Sequence, residues 1–203
     1  MTPRPYYSDD FATIYHGDAA EVTATLADGM VVVSDPPYPN RAGHFLDGIE
    51  AAEQVCATYK GAHWFLFWHQ LSTPPVPLPL IGHHVWHKTN TNRPDNYEPI
   101  YEFGRGPERP SRVFPHVVIY EGLTGCVEAT GHPTQKPVAV MKKLISLKPG
   151  EEVVLDPFMG SGSTLRASKD LGRRCIGVEV DERYCEIAAK RLGQEVLDFG
   201  GAA

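Results

Sequence analysis

Two short apolar runs, each followed by Asp-Pro, most constrain how this 203-residue chain can fold. Residues 31–33 are three valines that lead through Ser34 into Asp35-Pro36-Pro37-Tyr38, and residues 153–155 lead into Asp156-Pro157. Consecutive aliphatic residues are typical of a short strand that is buried on both faces, and proline ends such a strand because it cannot donate to the ladder. Each acid therefore lies just past the carboxyl end of a strand, where open α/β sheets bind their ligands.

The rest of the chain alternates between strand and helix patterns. Strands are predicted over 11–16, 30–33, 64–68, 84–88, 97–103, 153–155 and 175–180, and helices over 19–27, 49–59, 138–147, 163–171 and 182–192. The last third reads strand, helix, strand, helix, which is typical of parallel units with crossover helices. Segment 104–131 is rich in Gly, Pro and Arg and is the least regular. The sequence therefore predicts one doubly wound α/β domain over 1–203 with a mostly parallel sheet.

Composition restricts the cellular location of the protein and the ligands it can bind. No apolar run approaches the length of a membrane helix, and no signal peptide is recognisable. Four cysteines without CxxC spacing favour reduced thiols and a cytoplasmic protein. The formal net charge of −6 is unusual for a nucleic-acid binder, although residues 132–148 contain four lysines and no acid. No metal is predicted, because ligand spacing is absent around the histidines, which are His63, His69, His83, His84 and His87.

A glycine turn separates the second apolar run from the helix that follows it. Gly160 and Gly162 let backbone come close to a ligand. Glu179 ends the next strand, 19 residues beyond Gly160, near the spacing at which a carboxylate binds ribose hydroxyls. The third glycine of the dinucleotide pattern is replaced by Leu165. The turn therefore favours a ribose-bearing ligand without a pyrophosphate over a nicotinamide dinucleotide.

The segment Asp35-Pro36-Pro37-Tyr38 combines acceptors with an aromatic ring. The carboxylate and a rigid backbone carbonyl suit the two hydrogens of an amino group, and the tyrosine suits stacking on a flat base. Prolines hold the acceptors in place, which is the preorganisation that a transfer reaction needs. The same four residues are also typical of a proline turn with a helix-capping aspartate. Taken alone, the segment leaves both interpretations open.

Together these motifs resemble those of the β-group amino-methylating DNA methyltransferases, which use S-adenosylmethionine. Asp35-Pro36-Pro37-Tyr38 is similar to their catalytic motif, and residues 156–164 are similar to their cofactor loop. His132-Pro133-Thr134-Gln135-Lys136-Pro137 is similar to the segment that precedes that loop. Gly177-Val178-Glu179, with Tyr184 and Ala188, resembles the ribose motif, and Gly17-Asp18 resembles the adenine site. The resemblance covers nearly the whole chain and implies a Rossmann-like methyltransferase fold with the catalytic half first.

The resemblance implies site-specific transfer of a methyl group from S-adenosylmethionine to an exocyclic amino nitrogen in double-stranded DNA. The implied catalytic residues are Asp35, Pro36, Pro37 and Tyr38. The implied cofactor-binding residues are Asp18, Asp35, Thr134, Lys136, Asp156, Pro157, Phe158, Gly160, Ser161, Gly162, Ser163, Thr164, Glu179 and Val180. Aspartate at the first motif position favours N6 of adenine, and N4 of cytosine is the alternative.

Target recognition is expected in the irregular segment at about 104–131, which is shorter than in many family members. The candidates for DNA contacts are Arg41, His44, Arg105, Arg109 and Arg112. For each arginine the alternative is a solvated loop residue. The resemblance further implies a bacterial or phage-encoded protein, a restriction-modification setting and a possible homodimer.

Three other functions stay open on the sequence. A nicotinamide-dependent oxidoreductase would use the glycine turn and Glu179, but the missing third glycine argues against it. An inactive paralogue that only binds DNA is disfavoured because Asp35, Tyr38 and Gly160 are all present. RNA or a protein glutamine as methyl acceptor is compatible with the short recognition segment.

Overall fold

The computed structural model describes residues 3–38, 48–69, 72–89, 96–116, 130, 132 and 134–194. The strands are β1 (Tyr7–Ser8), β2 (Ala12–His16), β3 (Val31–Ser34), β4 (His63–Phe67), β5 (Leu80–Lys88), β6 (Tyr97–Gly104), β7 (Val113–His116), β8 (Val154–Asp156) and β9 (Cys175–Glu179). The helices are α1 (Ala19–Thr23), α2 (Ile49–Thr58), α3 (Val138–Leu147), α4 (Ser163–Asp170) and α5 (Glu182–Gly193).

The strands form one sheet in the order β1-β2-β9-β8-β3-β4-β6-β5-β7. Strands β2, β9, β8, β3 and β4 run parallel to one another. Strand β6 is antiparallel to both of its neighbours, so β5 and its parallel partner β7 point the same way as β4. The prediction of a mostly parallel α/β sheet is confirmed. The edge at which β2, β3, β4, β8 and β9 end is called the carboxyl edge below.

The valine run of β3 is apolar throughout because both faces of the sheet are covered. Val31 and Val33 pack in the core that contains Met141 of α3 and Leu165 of α4. Val32 points to the other face and packs in the core that contains Val55 of α2. Side chains alternate between faces along a strand, so a strand with helices on both sides needs apolar residues at every position.

Several elements differ from the sequence prediction, and strand β5 begins at Leu80 rather than at residue 84. Helix α1 ends at Thr23 rather than at residue 27, because the Thr25 hydroxyl and amide both bond to the carbonyl of Val22 and so compete with the helix. Strand β1 is unpredicted and short. Strand β7 lies inside the segment predicted to be irregular, where pairing with β5 creates it, and its position at the sheet border tolerates Pro115.

A buried carboxylate, Glu102 on β6, links three strands. Its Oε1 lies 2.7 Å from Nε2 of His63 on β4, and its Oε2 lies 2.9 Å from Nε2 of His84 on β5. Nη1 of Arg109 lies 3.2 Å from Oε1. Burial alone would raise the pKa of Glu102, but the two histidine hydrogen bonds and the arginine charge lower it to about 2. Two of the five clustered histidines thus serve the core.

Within the described ranges, no helix has the length and apolar character needed to cross a membrane. The same ranges contain no group of three or more His, Cys, Asp or Glu side chains placed to hold a metal ion. The cytoplasmic location stays a prediction.

Candidate active site

A cavity of about 640 Å³ lies at the carboxyl edge, a volume typical of small-molecule sites. Its walls are the turns that follow β2, β3, β8 and β9, together with the segment before α3. The lining contains all of the predicted catalytic residues and all of the predicted cofactor residues except Gly162. The fold therefore brings the two Asp-Pro turns together, because β3 and β8 are adjacent in the sheet.

Asp156 holds the turn after β8. The Ser34 hydroxyl donates to its Oδ1 at 2.5 Å, and the backbone N–H of Phe158 donates to the same oxygen at 3.2 Å. Burial raises the pKa of Asp156 to about 6, against the effect of these hydrogen bonds. Asp156 thus couples the ends of β3 and β8 as well as lining the cavity.

Glu179 and the glycine turn are joined directly. The backbone N–H of Gly160 donates to Oε2 of Glu179 at 2.9 Å, and the N–H of Asp181 donates to Oε1 at 2.9 Å. Burial raises the pKa of this carboxyl above its usual value. A carboxylate oxygen can accept more than one hydrogen bond, so both oxygens keep capacity for hydroxyl donors in the cavity.

The two glycines of the turn have different surroundings. Gly160 has φ +50°, and a Cβ there would lie 2.8 Å from Nε2 of His132. Gly162 has φ +78° and precedes α4, and a Cβ there would lie 2.8 Å from the Cβ of Ala188 on α5. Gly162 does not line the cavity, and both its left-handed φ and its packing against α5 require glycine, so its contact with the cofactor stays a prediction.

Asp35 and Lys136 form a buried ion pair in the cavity wall. The Lys136 ammonium donates to Oδ2 of Asp35 and lies 3.3 Å from Oε2 of Glu98. The lysine side chain is only 6% exposed. Among the residues that the structure describes, Oδ1 of Asp35 has no hydrogen-bond partner. One oxygen of the catalytic-motif carboxylate is therefore held by lysine, and the other is buried without a hydrogen-bond partner among the described residues.

Both side chains of this pair are ionised at neutral pH. Burial raises the pKa of Asp35 above its usual value, and the Lys136 ammonium offsets this only in part. Burial alone would lower the pKa of Lys136, but the charges of Asp35 and Glu98 raise it. Asp35 is thus an acceptor at neutral pH and becomes protonated at a higher pH than an ordinary aspartate.

Tyr38 lines the cavity beside two further aromatic rings. Its centroid lies 5.8 Å from that of Trp68 and 6.5 Å from that of His69, with interplanar angles of 44° and 49°. The Trp68 indole N–H donates to the Ser72 hydroxyl at 3.1 Å, which fixes that ring. Trp68 is only 3% exposed and belongs to the hydrophobic core on the α2 face of the sheet.

The remaining predicted cofactor residues have mixed surroundings. Asp18 caps α1, with its Oδ1 accepting from the N–H of Glu21 at 3.0 Å, and also lines the cavity. Thr134 is exposed at the cavity rim, and Val180 is 70% exposed there. Asp18 therefore has a structural use that does not depend on a ligand.

Of the five candidates for DNA contacts, the structure describes Arg105, Arg109 and Arg112. Arg41 and His44 lie outside the described residues. Arg105 follows the end of β6 that pairs with the start of β4, and Arg109 donates to the Leu147 carbonyl at the end of α3, so both lie at the edge opposite the cavity. Arg112 precedes β7, with β4, β6 and β5 between it and β3. The geometry gives these three arginines no contact with the cavity.

Glu98, His132 and Tyr184 line the cavity but were not predicted as site residues. Glu98 belongs to β6, far along the chain from any motif, and its alternating strand pattern indicates only a strand. His132 lies in the quoted segment before α3, and its ring packs 4.5 Å from that of Tyr184. Burial, then the charges of Lys136 and Arg183, lower the pKa of His132 to about 4. The His132–Tyr184 pair is thus a neutral aromatic wall.

Comparisons with known proteins identify the family of this chain. Residues 58–190 match the DNA methylase family of N6 and N4 methyltransferases. YubD of Escherichia coli strain K12 is 30% identical, with 92% of this chain and 93% of that protein covered. The Type II methyltransferase M.ScaI of Streptomyces caespitosus is 26% identical, with 95% of this chain and 84% of that protein covered.

Solved structures share the fold. The M1.HpyAVI–SAM complex aligns with a TM-score of 0.68 at 24% identity, covering 90% of this chain and 100% of that chain. The cytosine-N4-specific PvuII DNA methyltransferase aligns with a TM-score of 0.71 at 14% identity, covering 95% and 90%.

The mostly parallel α/β sheet, which these structures share, defines a Rossmann-like methyltransferase fold, and in this chain a cavity lies at the carboxyl edge of the sheet. The family match covers well over half of the chain, and the chain therefore belongs to the DNA methylase family of N6 and N4 methyltransferases. Membership makes it a DNA methyltransferase, with DNA as substrate and S-adenosylmethionine, the cofactor of this family, as methyl donor.

Proposed function

We propose that this protein transfers a methyl group from S-adenosylmethionine to N6 of adenine in double-stranded DNA. The observation that carries the proposal is Asp35. Its Oδ1 is buried and has no hydrogen-bond partner among the described residues, and the residue lines the cavity that also contains the glycine turn. An unsatisfied buried acceptor costs about 1–3 kcal/mol, so its presence at a cavity favours a ligand with a matching donor.

The residues present fit the cofactor. Its ribose hydroxyls are donors, and Glu179 offers a carboxylate that the backbone already holds in place. Gly160, with φ +50°, leaves no side chain between the turn and the ligand. Phe158, Pro157 and Asp18 would complete the binding site on the same wall of the cavity. S-adenosylmethionine, when bound, supplies a methyl group on a positively charged sulfur.

The chain's own residues orient the amino group. Oδ1 of Asp35 accepts one amino hydrogen, and the backbone carbonyl of Pro36 accepts the other. As the nitrogen lone pair forms a bond to the methyl carbon, the carbon–sulfur bond would break, and these two acceptors would keep the hydrogens directed away from the lone pair. The methylated nitrogen would then lose one of its two hydrogens as a proton, for which the ionised Asp35 carboxylate is the adjacent base. Tyr38, supported by Trp68, stacks on the base that has left the helix. Rigid placement of both partners supplies most of the rate.

Adenine is proposed as the base because the motif begins with aspartate, which is more typical of the N6-adenine enzymes in this family. The fold neighbours do not discriminate, since one of them is cytosine-N4-specific. Both bases present an exocyclic amine, and the acceptors described above suit either one.

Incubation with labelled S-adenosylmethionine and unmethylated genomic DNA is expected to yield N6-methyladenine. Digestion to nucleosides followed by mass spectrometry separates this product from N4-methylcytosine. N4-methylcytosine would overturn the choice of base and keep the mechanism. Cofactor binding without any methylated nucleoside would overturn DNA as the acceptor, and RNA and protein glutamine would then be assayed.

Replacing Glu179 by alanine is expected to weaken cofactor binding about 10- to 100-fold, since hydrogen bonds to a charged acceptor contribute about 1.5–3 kcal/mol each. Loss of the Gly160 and Asp181 contacts adds to the effect. Calorimetric titration with S-adenosylmethionine measures it. Glu182→Gln, at an exposed position of the next helix, is the control and should bind normally. An unchanged dissociation constant in Glu179→Ala would remove this residue from the cofactor site.

We further propose that residues 1–203 form a single catalytic domain with a target-recognition segment at about 104–131. Within this segment, Arg105 and Arg109 are not proposed as contacts to the target base, because both lie at the edge of the sheet opposite the cavity. The homodimer implied by the family resemblance stays a prediction.

A further inference from the structure

A row of four alternating charges runs through the cavity wall to Asp35. Lys88 on β5 lies 2.8 Å from Oε1 of Glu98 on β6. Oε2 of Glu98 lies 3.3 Å from the ammonium of Lys136, which in turn donates to Oδ2 of Asp35. Each of the four side chains is 20% exposed or less. The row connects the β5–β6 pair to the catalytic strand, and neither Lys88 nor Glu98 belongs to a motif singled out in the sequence.

The position of Lys136 is over-determined by these contacts. Its ammonium has three hydrogens and meets the Asp35 carboxylate, the Glu98 carboxylate and the face of the Phe67 ring, whose centroid is 5.1 Å away. The distance to Glu98 corresponds to an ion pair rather than to an aligned hydrogen bond. A buried lysine with a single carboxylate partner could turn about that partner and engage either oxygen. Glu98 removes this freedom.

We propose that Glu98 is a positioning residue, which holds Lys136 on Oδ2 of Asp35 and so leaves Oδ1 without a competing donor for the amino group to be methylated. This inference rests on the proposed function. Glu98 also divides the lysine charge between two carboxylates, so Asp35 remains a stronger acceptor than it would be in an exclusive ion pair. Lys88 binds the other oxygen of Glu98 and partly neutralises this carboxylate, which weakens the attraction between Glu98 and Lys136.

The charges facing Asp35 determine the direction of each effect. Lys136 and Lys88 lower the pKa of Asp35, whereas Glu98 raises it, in addition to the rise caused by burial. Lys136 and Lys88 in turn hold the pKa of Glu98 below its usual value, although burial opposes this. Methyl transfer needs ionised Asp35, so kcat falls as the pH drops through the pKa of this group. Removing Glu98 should move that fall to lower pH, and removing Lys88 should move it to higher pH.

The test compares Glu98→Gln and Lys88→Gln by the pH profile of kcat at saturating cofactor and DNA. The acidic limb is expected to shift by roughly one pH unit, downward in Glu98→Gln and upward in Lys88→Gln. The plateau of Glu98→Gln should fall about 10-fold, because the acceptor is weaker and less fixed. Opposite shifts would not arise from a merely structural contact. The proposal would be overturned if the acidic limb of the kcat profile did not shift in these two variants, or shifted in the same direction in both.

A matched pair of controls exists elsewhere on the molecule. Lys148 and Glu152 are also 2.8 Å apart, and they lie between α3 and β8, at the edge opposite the cavity. Lys148→Gln and Glu152→Gln should leave the pH profile unchanged. A shift of the same size in these variants would mean that net charge rather than position is responsible, and the proposal would fail.

A second readout needs neither cofactor nor DNA. The ¹³Cγ resonance of Asp35, assigned with Asp35→Asn, reports its titration directly in the free protein. The same opposite shifts are expected for Glu98→Gln and Lys88→Gln, and their absence would overturn the role of Glu98 even if one variant is inactive. If the wild-type protein methylates no nucleic acid, the proposed function fails, while this titration still decides whether Glu98 and Lys88 control Asp35.

Discussion

Asp35→Ala is expected to lower kcat for methyl transfer by about 10³-fold or more while changing the affinity for S-adenosylmethionine little. The substitution removes the acceptor that faces the amino group and frees Lys136 from its main partner. The contacts between Glu179 and the glycine turn are not touched, so the cofactor site should persist. Single-turnover kinetics on unmethylated DNA, together with calorimetric titration of the cofactor, measure the two quantities separately.

Asp35→Asn is the companion variant, because it keeps the size of the side chain and removes its charge. An amide is a weaker acceptor, so we expect a large loss of kcat here as well, with near-normal folding. If the cofactor affinity fell in parallel with kcat in both variants, Asp35 would belong to the cofactor site rather than to the methyl acceptor. Lys136 keeps Glu98 as a partner in both variants, which protects the fold from an unpaired buried charge.

Glu102→Ala is expected to destabilise the protein by about 3–5 kcal/mol, the range for removing one partner of a buried ionic network. Glu102 is fully buried and accepts from His63 and His84, and Arg109 lies beside it. The backbone N–H of Arg112 donates to Nδ1 of His84, so the ring hydrogen of His84 lies on Nε2 and is donated to the Glu102 carboxylate. Without the carboxylate, two buried imidazoles lose their partner. Urea unfolding at neutral pH measures the free energy of unfolding.

The effect should depend on pH in a defined window. The pKa of Glu102 falls from 4.5 to about 2 on folding, so its stabilisation is complete above the higher value and is lost as the pH drops through the lower one. The difference between wild type and Glu102→Gln should therefore shrink across this window. Glu152→Ala is the control, since its pair with Lys148 is partly exposed and should contribute less than about 1 kcal/mol. A loss in Glu102→Ala as small as in this control would contradict a stabilising role.

Much of the cavity lining was predictable from local patterns. Proline after a valine run ends the strand and exposes the next acid, as at Asp35, and a glycine turn followed by an acid at the end of the next strand indicates a ribose site, as at Glu179. These features depend on backbone geometry within a few residues. They are visible in the chain before any tertiary contact forms.

Residues whose role depends on which strands are neighbours were not predictable. Glu98 reaches the cavity because β6 pairs with β4 and extends beyond the end of that strand. Arg105 and Arg109 lie at the opposite edge because β6 runs antiparallel to β4. Strand β7 forms because it pairs with the free edge of β5. Gly162 lies against α5 because the start of α4 packs closely on that helix. In each case the deciding partner is distant in sequence.

The amino-acid sequence by itself determined the fold class, the order of the motifs and the family resemblance, because apolar periodicity, proline and glycine act locally on the backbone. Only the tertiary structure decided which oxygen of Asp35 is left without a partner in the described residues, and that Glu98 and Lys88 stand behind Lys136. The physical reason is that a buried charge is stabilised by the partner nearest in space, and strand register, rather than sequence distance, brings that partner into place.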